Sequence, residues 1–217
     1  MRSANPTVGL AAHTGIVDVR ITARAPDEAA ADRMIAEMET AVRERLGEHA
    51  IFGADGTSLE EVTAAALAAA GVRLALVESA TGGEVARRLR SVPASAAAVS
   101  AAHVVQSPRE LSQLLDISPA LLDAFDWVTQ MAATAAATAL TDTYEGGWGL
   151  AVLGDMMVRD DFYGTDTGQT CLALVTPNAT YVRHYPYGGQ GPVTRTRVSL
   201  GALDLPRRAA LDKLTAA

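Results

Sequence analysis

The stretch Leu74-Ala75-Leu76-Val77-Glu78-Ser79-Ala80-Thr81-Gly82-Gly83-Glu84-Val85-Ala86-Arg87-Arg88-Leu89-Arg90 decides the fold class. Four apolar residues run into a short polar turn, and the pattern then becomes helical. A strand here delivers a serine to the mouth of a helix. Strand–helix alternation continues downstream. It predicts strands at 73–78, 97–105, 149–154, 170–176 and 180–185, and helices at 82–91, 108–115, 119–125, 127–142 and 192–204. The last two strands are joined by Pro177-Asn178. The expected architecture is a three-layer α/β domain with a mostly parallel mixed sheet and an antiparallel edge.

Upstream, Val17, Val19, Ile21 and Ala23 alternate with Asp18, Arg20 and Thr22, a strand with one wet face. Pro26 then opens a helix with Asp27 and Glu28 in its first turn, and Gly47 stops it. Ala31, Met34, Met38, Val42 and Leu46 share one stripe of that helix, and Ala50-Ile51-Phe52 reads as a short second strand. Residues 1–54 are therefore expected to form a small β-α-β module, and residues 55–217 the α/β domain. The turn-rich Ala54-Asp55-Gly56-Thr57 marks the boundary, after which Ser58 and Glu61 form a capping box.

Composition narrows the function classes. A net charge of −7 disfavours non-specific nucleic-acid binding, which needs basic surface. Cys171 is the one cysteine, so no internal disulfide can form, and a reducing cytoplasmic setting is expected. The segment Met1–Pro6 has no apolar signal core, and no run suits a membrane span. The four histidines, His13, His49, His103 and His184, lack ligand spacing, so no metal is expected. Trp127 and Trp148 lie in apolar neighbourhoods and read as core or interface.

The turn after the first domain strand has two readings. Free backbone N–H groups at a helix start attract phosphate or carboxylate. Gly82 and Gly83 would admit a ligand to the backbone, and Ser79 and Thr81 add hydroxyls. Alternatively Thr81 is an N-cap, Gly82 a turn residue, and Ser79 a hydroxyl bonded to local backbone.

Glu78-Ser79-Ala80-Thr81-Gly82-Gly83 resembles the E-S-C-T-G-G signature of the C-terminal domain of the CinA (competence-damage-inducible) family, with Ala80 in place of cysteine. Val92-Pro93-Ala94-Ser95, Gly149-Leu150-Ala151-Val152 and Gly168-Gln169-Thr170 are similar to that domain as well. Asn5 through Gly9, Ala12 through Gly15 and Val17 through Arg24 resemble the family's linker module. The resemblance spans essentially the whole chain; the molybdopterin-cofactor-like domain of long members is not part of it. It implies a pyridine-nucleotide amidohydrolase, without a cofactor, that converts nicotinamide mononucleotide to nicotinate mononucleotide and ammonia. It also implies a homodimer. Ser79 maps to the proposed nucleophile, and Thr81, Gly82 and Gly83 to the family's Thr-Gly-Gly.

Two family motifs are rewritten. Active members carry Y-S-N and then a lysine, taken to activate the serine. Alignment from Val92-Pro93 puts Gln106 at the tyrosine and Leu111 at the lysine. Ser107 survives, although Ser107-Pro108-Arg109-Glu110 also reads as an ordinary capping box. The chain's one lysine, Lys213, is far away in sequence, and arginine cannot serve as a base. The family's G-I-A-G-P appears as Gly154-Asp155-Met156-Met157-Val158, and its G-D-R as Gly188-Gly189-Gln190. His103 and Asp155 are the replacement catalytic candidates, although alternation sends His103 and Gln106 to opposite faces. Asp160, Asp161 and Tyr163 form a polar loop, and Tyr185 and Tyr187 could shape a ring pocket. Glu78, Thr81, Gly82, Gly83, Gln106, Ser107 and Gly154 are the expected substrate-binding residues. The intact Glu78-Ser79 and Thr81-Gly82-Gly83 favour a hydrolase, with amide hydrolysis through Ser79; N-glycosidic cleavage helped by Asp155 and nucleotide binding without turnover are the alternatives.

Overall fold

The computed structural model describes residues 5–47, 49–93, 98–122, 127–144, 147–156 and 167–212. The chain divides into two compact units, Met1–Ala54 and Asp55–Ala217.

The first unit is a hairpin followed by a helix, not the β-α-β module expected. Strands β1 (Thr7–His13) and β2 (Ile16–Thr22) pair antiparallel in register from Thr7 with Thr22 to His13 with Ile16. Gly15 adopts φ +83° in the connecting turn, a conformation glycine tolerates without strain. The Ala50–Phe52 segment forms no strand. Helix α1 (Glu28–Leu46) starts two residues later than expected, because Asp27 is its N-cap rather than a first-turn residue, accepting a hydrogen bond from Ala30 N; Gly47 ends it as expected. No residue of α1 is fully buried, its stripe of Met34, Met38 and Val42 included.

The second unit holds a five-stranded sheet in the order β4-β3-β5-β6-β7. Its strands are β3 (Arg73–Glu78), β4 (Val99–Val104), β5 (Gly147–Gly154), β6 (Thr170–Val175) and β7 (Thr180–Tyr185). β3 pairs parallel with both β4 and β5. β6 runs antiparallel between β5 and β7, so four of the five strands point the same way. β3 is an interior strand with both faces covered. Leu74, Ala75, Leu76 and Val77 are all fully buried, which explains the unbroken apolar run.

Helix α5 (Gln130–Thr143) covers one face. Its Ala132, Ala133, Ala136, Ala137 and Leu140 pack on Ala75, Val77, Ala151, Leu153, Cys171 and Ala173. Helix α4 (Pro108–Leu115) adds Leu111 and Leu115 to the same cluster. On the other face lie α2 (Leu59–Ala69), α3 (Glu84–Arg90) and α6 (Pro192–Ala210). An ion pair between Arg88 and Glu60 ties α3 to α2. α5 and β5 approach unusually closely at Gly149, where a Cβ would stand 1.9 Å from Ala137 O.

Several boundaries differ from expectation; α5 starts at Gln130 rather than 127, behind its N-cap Thr129. Helix 119–125 is a 3₁₀ turn at Pro119–Leu121, and 123–126 lie outside the described residues. β5 starts earlier than expected, at Gly147. α6 passes through Pro206 to Ala210 rather than stopping near 204. Pro206 removes one helical N–H, but Ala202, Leu203, Leu205 and Ala209 around it are buried, and that burial holds the helix together. The expected Ser58–Glu61 capping box forms, with Ser58 Oγ accepting from Glu61 N while Glu61 accepts from Ser58 N at 2.7 Å; the Ser107–Glu110 box forms only by half, because the Glu110 carboxylate accepts from Gln106 N instead.

Candidate functional site

The strand directions gather several loops at one rim. The C-terminal ends of β3, β4, β5 and β7, the start of β6 and the start of α6 all meet there. β3 is followed by neighbours on opposite sides, β4 and then β5. Its C-terminal end is thus the topological switch point, where open α/β sheets bind ligands. The Ser79 turn occupies that position.

Ser79 continues the ladder by donating its N–H to Val152 O at 3.0 Å. In a regular parallel pair its carbonyl would then accept from Gly154 N. Instead the Ser79 carbonyl accepts from Gly82 N at 2.9 Å and starts the turn. The hydroxyl takes over the vacated role: Ser79 Oγ accepts from Gly154 N at 2.8 Å and donates to Gly154 O at 3.1 Å. Ser79 is 2% exposed. A second turn follows, with Glu84 N donating to Thr81 O at 3.3 Å. Gly82 and Gly83 take φ +63° and +87°, both left-handed, so the glycine pair is dictated by the turn itself. α3 begins after Gly83 with no side-chain cap from Thr81.

Glu78 changes the expected anion cradle. Its carboxylate is buried under α3 and accepts from Val85 N at 3.0 Å and Ala86 N at 2.9 Å. These are helix-start amides that the sequence reading assigned to a ligand; the protein's own side chain fills them. Burial raises the Glu78 pKa above the ordinary carboxylate value, against the pull of those two amides and the Thr81 hydroxyl. Thr81 Oγ1 faces Glu78 but makes no well-formed hydrogen bond. The N–H groups of Ala80, Thr81 and Gly83 have no partner among the described residues. Gly82 is exposed and Gly83 half-buried, whereas Ser79, Ala80 and Thr81 are covered.

Asp155 does sit at the rim, but its carboxylate is engaged. Oδ2 accepts from Gln169 N at 2.7 Å, Asp155 N donates to Gln169 O at 3.0 Å, and Gly189 N donates to Asp155 O at 2.7 Å. The residue clasps the start of β6 to the loop after β7. Gly154 is confined as well: a Cβ there would meet Thr170 Oγ1 at 3.0 Å and Ala80 Cβ at 3.1 Å. His103 pairs in register with Val77, and its Nε2 lies 2.7 Å from Tyr144 Oη. It makes no hydrogen bond with Ser79 among the described residues. Gln106 is exposed, and its N–H donates to Glu110 Oε2 at 2.8 Å. Ser107 is the N-cap of α4, accepting from Glu110 N. Leu111, at the family's lysine position, is fully buried in the core. Tyr185 and Tyr187 stack at 5.2 Å, and burial raises both phenol pKa values. Asp160, Asp161, Tyr163 and Lys213 lie outside the described residues. Among the described residues no group of three or more His, Cys, Asp or Glu side chains could hold a metal. Nor is any helix there long and apolar enough to cross a membrane.

One residue escaped the sequence reading. A Cβ at Gly82 would stand 3.7 Å from Arg195 Nη2 and 3.8 Å from its Cζ. Arg195, in the first turn of α6, thus lays its guanidinium beside the two-glycine turn. It helps lower the pKa of Glu84, though less than Arg87, which bonds both Glu84 oxygens. The contact joins residues far apart in sequence, and no local pattern announces it.

Comparison with known proteins agrees with this arrangement. Residues 56–210 match the model of the CinA C-terminal domain, and residues 1–53 that of the damage-inducible protein CinA KH domain. A CinA-like protein from Frankia casuarinae is 36% identical over 210 residues, covering 95% of this chain and 47% of that protein. One from Gloeobacter violaceus is 33% identical, covering 96% and 49%. The chain spans about half the length of the curated relatives it matches. A crystal structure of a competence-damaged protein (CinA) superfamily protein from Enterobacter cloacae shares the fold, with TM-score 0.59 and 24% identity over 76% of this chain and 97% of that one. With both units matched in order, the chain belongs to the CinA family.

Proposed function

We propose that the second unit binds a pyridine mononucleotide, nicotinamide mononucleotide or a close derivative, at the rim where β3 ends, without amide hydrolysis through Ser79. The ligand class follows from the family resemblance. The observation that carries the reading is the Ser79–Gly83 turn at the sheet's switch point. It offers the unpartnered N–H of half-buried Gly83, beside exposed Gly82, to a ligand, while the serine stays covered.

The state of the hydroxyl supports binding over attack. A serine nucleophile needs a base within hydrogen-bond reach. Here the proton already goes to Gly154 O, and no titratable group bonds Ser79 Oγ among the described residues. The positions of the family's tyrosine and lysine hold exposed Gln106 and core Leu111. Asp155, the candidate for N-glycosidic cleavage, is held by backbone. A homodimer, implied by the resemblance, is part of the proposal.

Calorimetry and activity assays on one preparation test the reading. Nicotinamide mononucleotide is expected to bind and raise Tm. No ammonia and no free base should appear over hours. Ammonia release that disappears in Ser79→Ala would restore the amidohydrolase reading. Release of nicotinamide that disappears in Asp155→Asn would favour glycosidic cleavage.

A further inference from the structure

We infer that Arg195 is the phosphate anchor of this site and sets its preference for nucleotides over nucleosides; the inference rests on the reading that a mononucleotide binds at the Ser79–Gly83 turn. The guanidinium lies beside Gly82, the exposed residue of the turn; the following residue, Gly83, has an N–H with no partner among the described residues. Arg195 is half-buried, and its Nε is sealed from solvent without a hydrogen-bond partner. No carboxylate lies within ion-pair distance of it among the described residues. The nearest acid along the turn, Glu84, is already gripped by Arg87 through both oxygens.

A guanidinium whose Nε has lost water without a hydrogen bond, and whose one nearby acid, Glu84, is already bonded to Arg87, is an unfavourable arrangement. A phosphate monoester supplies what is missing. Its oxygens match the guanidinium fork, and a further oxygen can take the Gly83 N–H. The arginine of the family's G-D-R loop is absent here, replaced by Gln190, so in this chain the cation comes from α6 instead. A phosphate on Arg195 would also hold the ligand at the glycine face of the turn, with covered Ser79 behind it.

Isothermal titration of the full chain compares nicotinamide mononucleotide with nicotinamide riboside, which lacks the phosphate. The wild-type protein is expected to prefer the mononucleotide. Arg195→Gln should weaken the mononucleotide about 10- to 100-fold, the loss of charge-assisted hydrogen bonds, and leave the riboside unchanged. Arg195→Lys, which keeps the charge but not the fork, should fall between, and it serves if the Gln variant does not fold. Two results overturn the inference alone: a variant that binds the mononucleotide as the wild type does, or one that loses mononucleotide and riboside equally. If the wild-type protein binds neither compound, the binding reading fails and takes this inference with it.

Discussion

Replacing Ser79 by alanine is the most informative perturbation, because it separates a structural hydroxyl from a catalytic one. The Ser79 hydroxyl makes two buried hydrogen bonds to Gly154, one to its N–H and one to its carbonyl. Alanine leaves the Gly154 N–H facing a methyl group in a place where neighbouring residues are covered. A buried donor left unpaired costs about 1–3 kcal/mol. For a domain of this size each kcal/mol moves Tm by roughly 2–4 °C, so the variant should melt about 2–12 °C lower. Differential scanning calorimetry of the full chain reads this directly, and urea unfolding should give a lower midpoint at unchanged slope. A serine kept only for attack behaves differently: its removal leaves stability unaltered or improves it. A Tm for Ser79→Ala equal to or above the wild-type value would therefore refute the clasp between β3 and β5.

Leu111→Lys restores the family's residue type at a fully buried position. Holding a lysine neutral at pH 7 costs about 5 kcal/mol, from 1.36 kcal/mol per unit below 10.4. The variant should be strongly destabilised, should recover stability as pH rises toward 10, and should release no ammonia from nicotinamide mononucleotide. Glu78 gives a pH signature of the opposite sense. Its folded pKa is raised by burial, so its contribution is most favourable below the ordinary carboxylate pKa and declines as pH climbs through the raised value. The stability difference between wild type and Glu78→Gln should therefore shrink with rising pH across that window. A difference that is flat with pH, followed by thermal melts, would show that Glu78 does not titrate there.

Much of the second unit was legible because its signals are local. The Leu74–Val77 run, the Ser58–Glu61 box and the Ser107 cap each involve residues within a few positions of one another. The first unit misled because β1, with Gly9, Ala11 and Ala12, lacks the alternation that marks β2. At the rim, position was readable and engagement was not. Asp155 stands at the strand end as expected, but its carboxylate bonds an amide 14 residues away. Glu78 was expected to help hold a ligand, yet it closes the start of α3, a choice made by which way the side chain turns at the strand end. Arg195 reaches Gly82 only through tertiary packing of α6 on α3.

The near-contact of α5 with β5 gives the alanine-rich composition a mechanical meaning. With no Cβ at Gly149 and mostly alanine methyl groups along the facing side of α5, helix and strand settle closer than larger side chains would permit. Thickness in that layer is set by the backbone itself rather than by interlocking side chains. Drift toward bulkier residues there would prise the helix off the sheet, so this part of the sequence has little freedom to change while the loops at the opposite ends of the strands are rewritten.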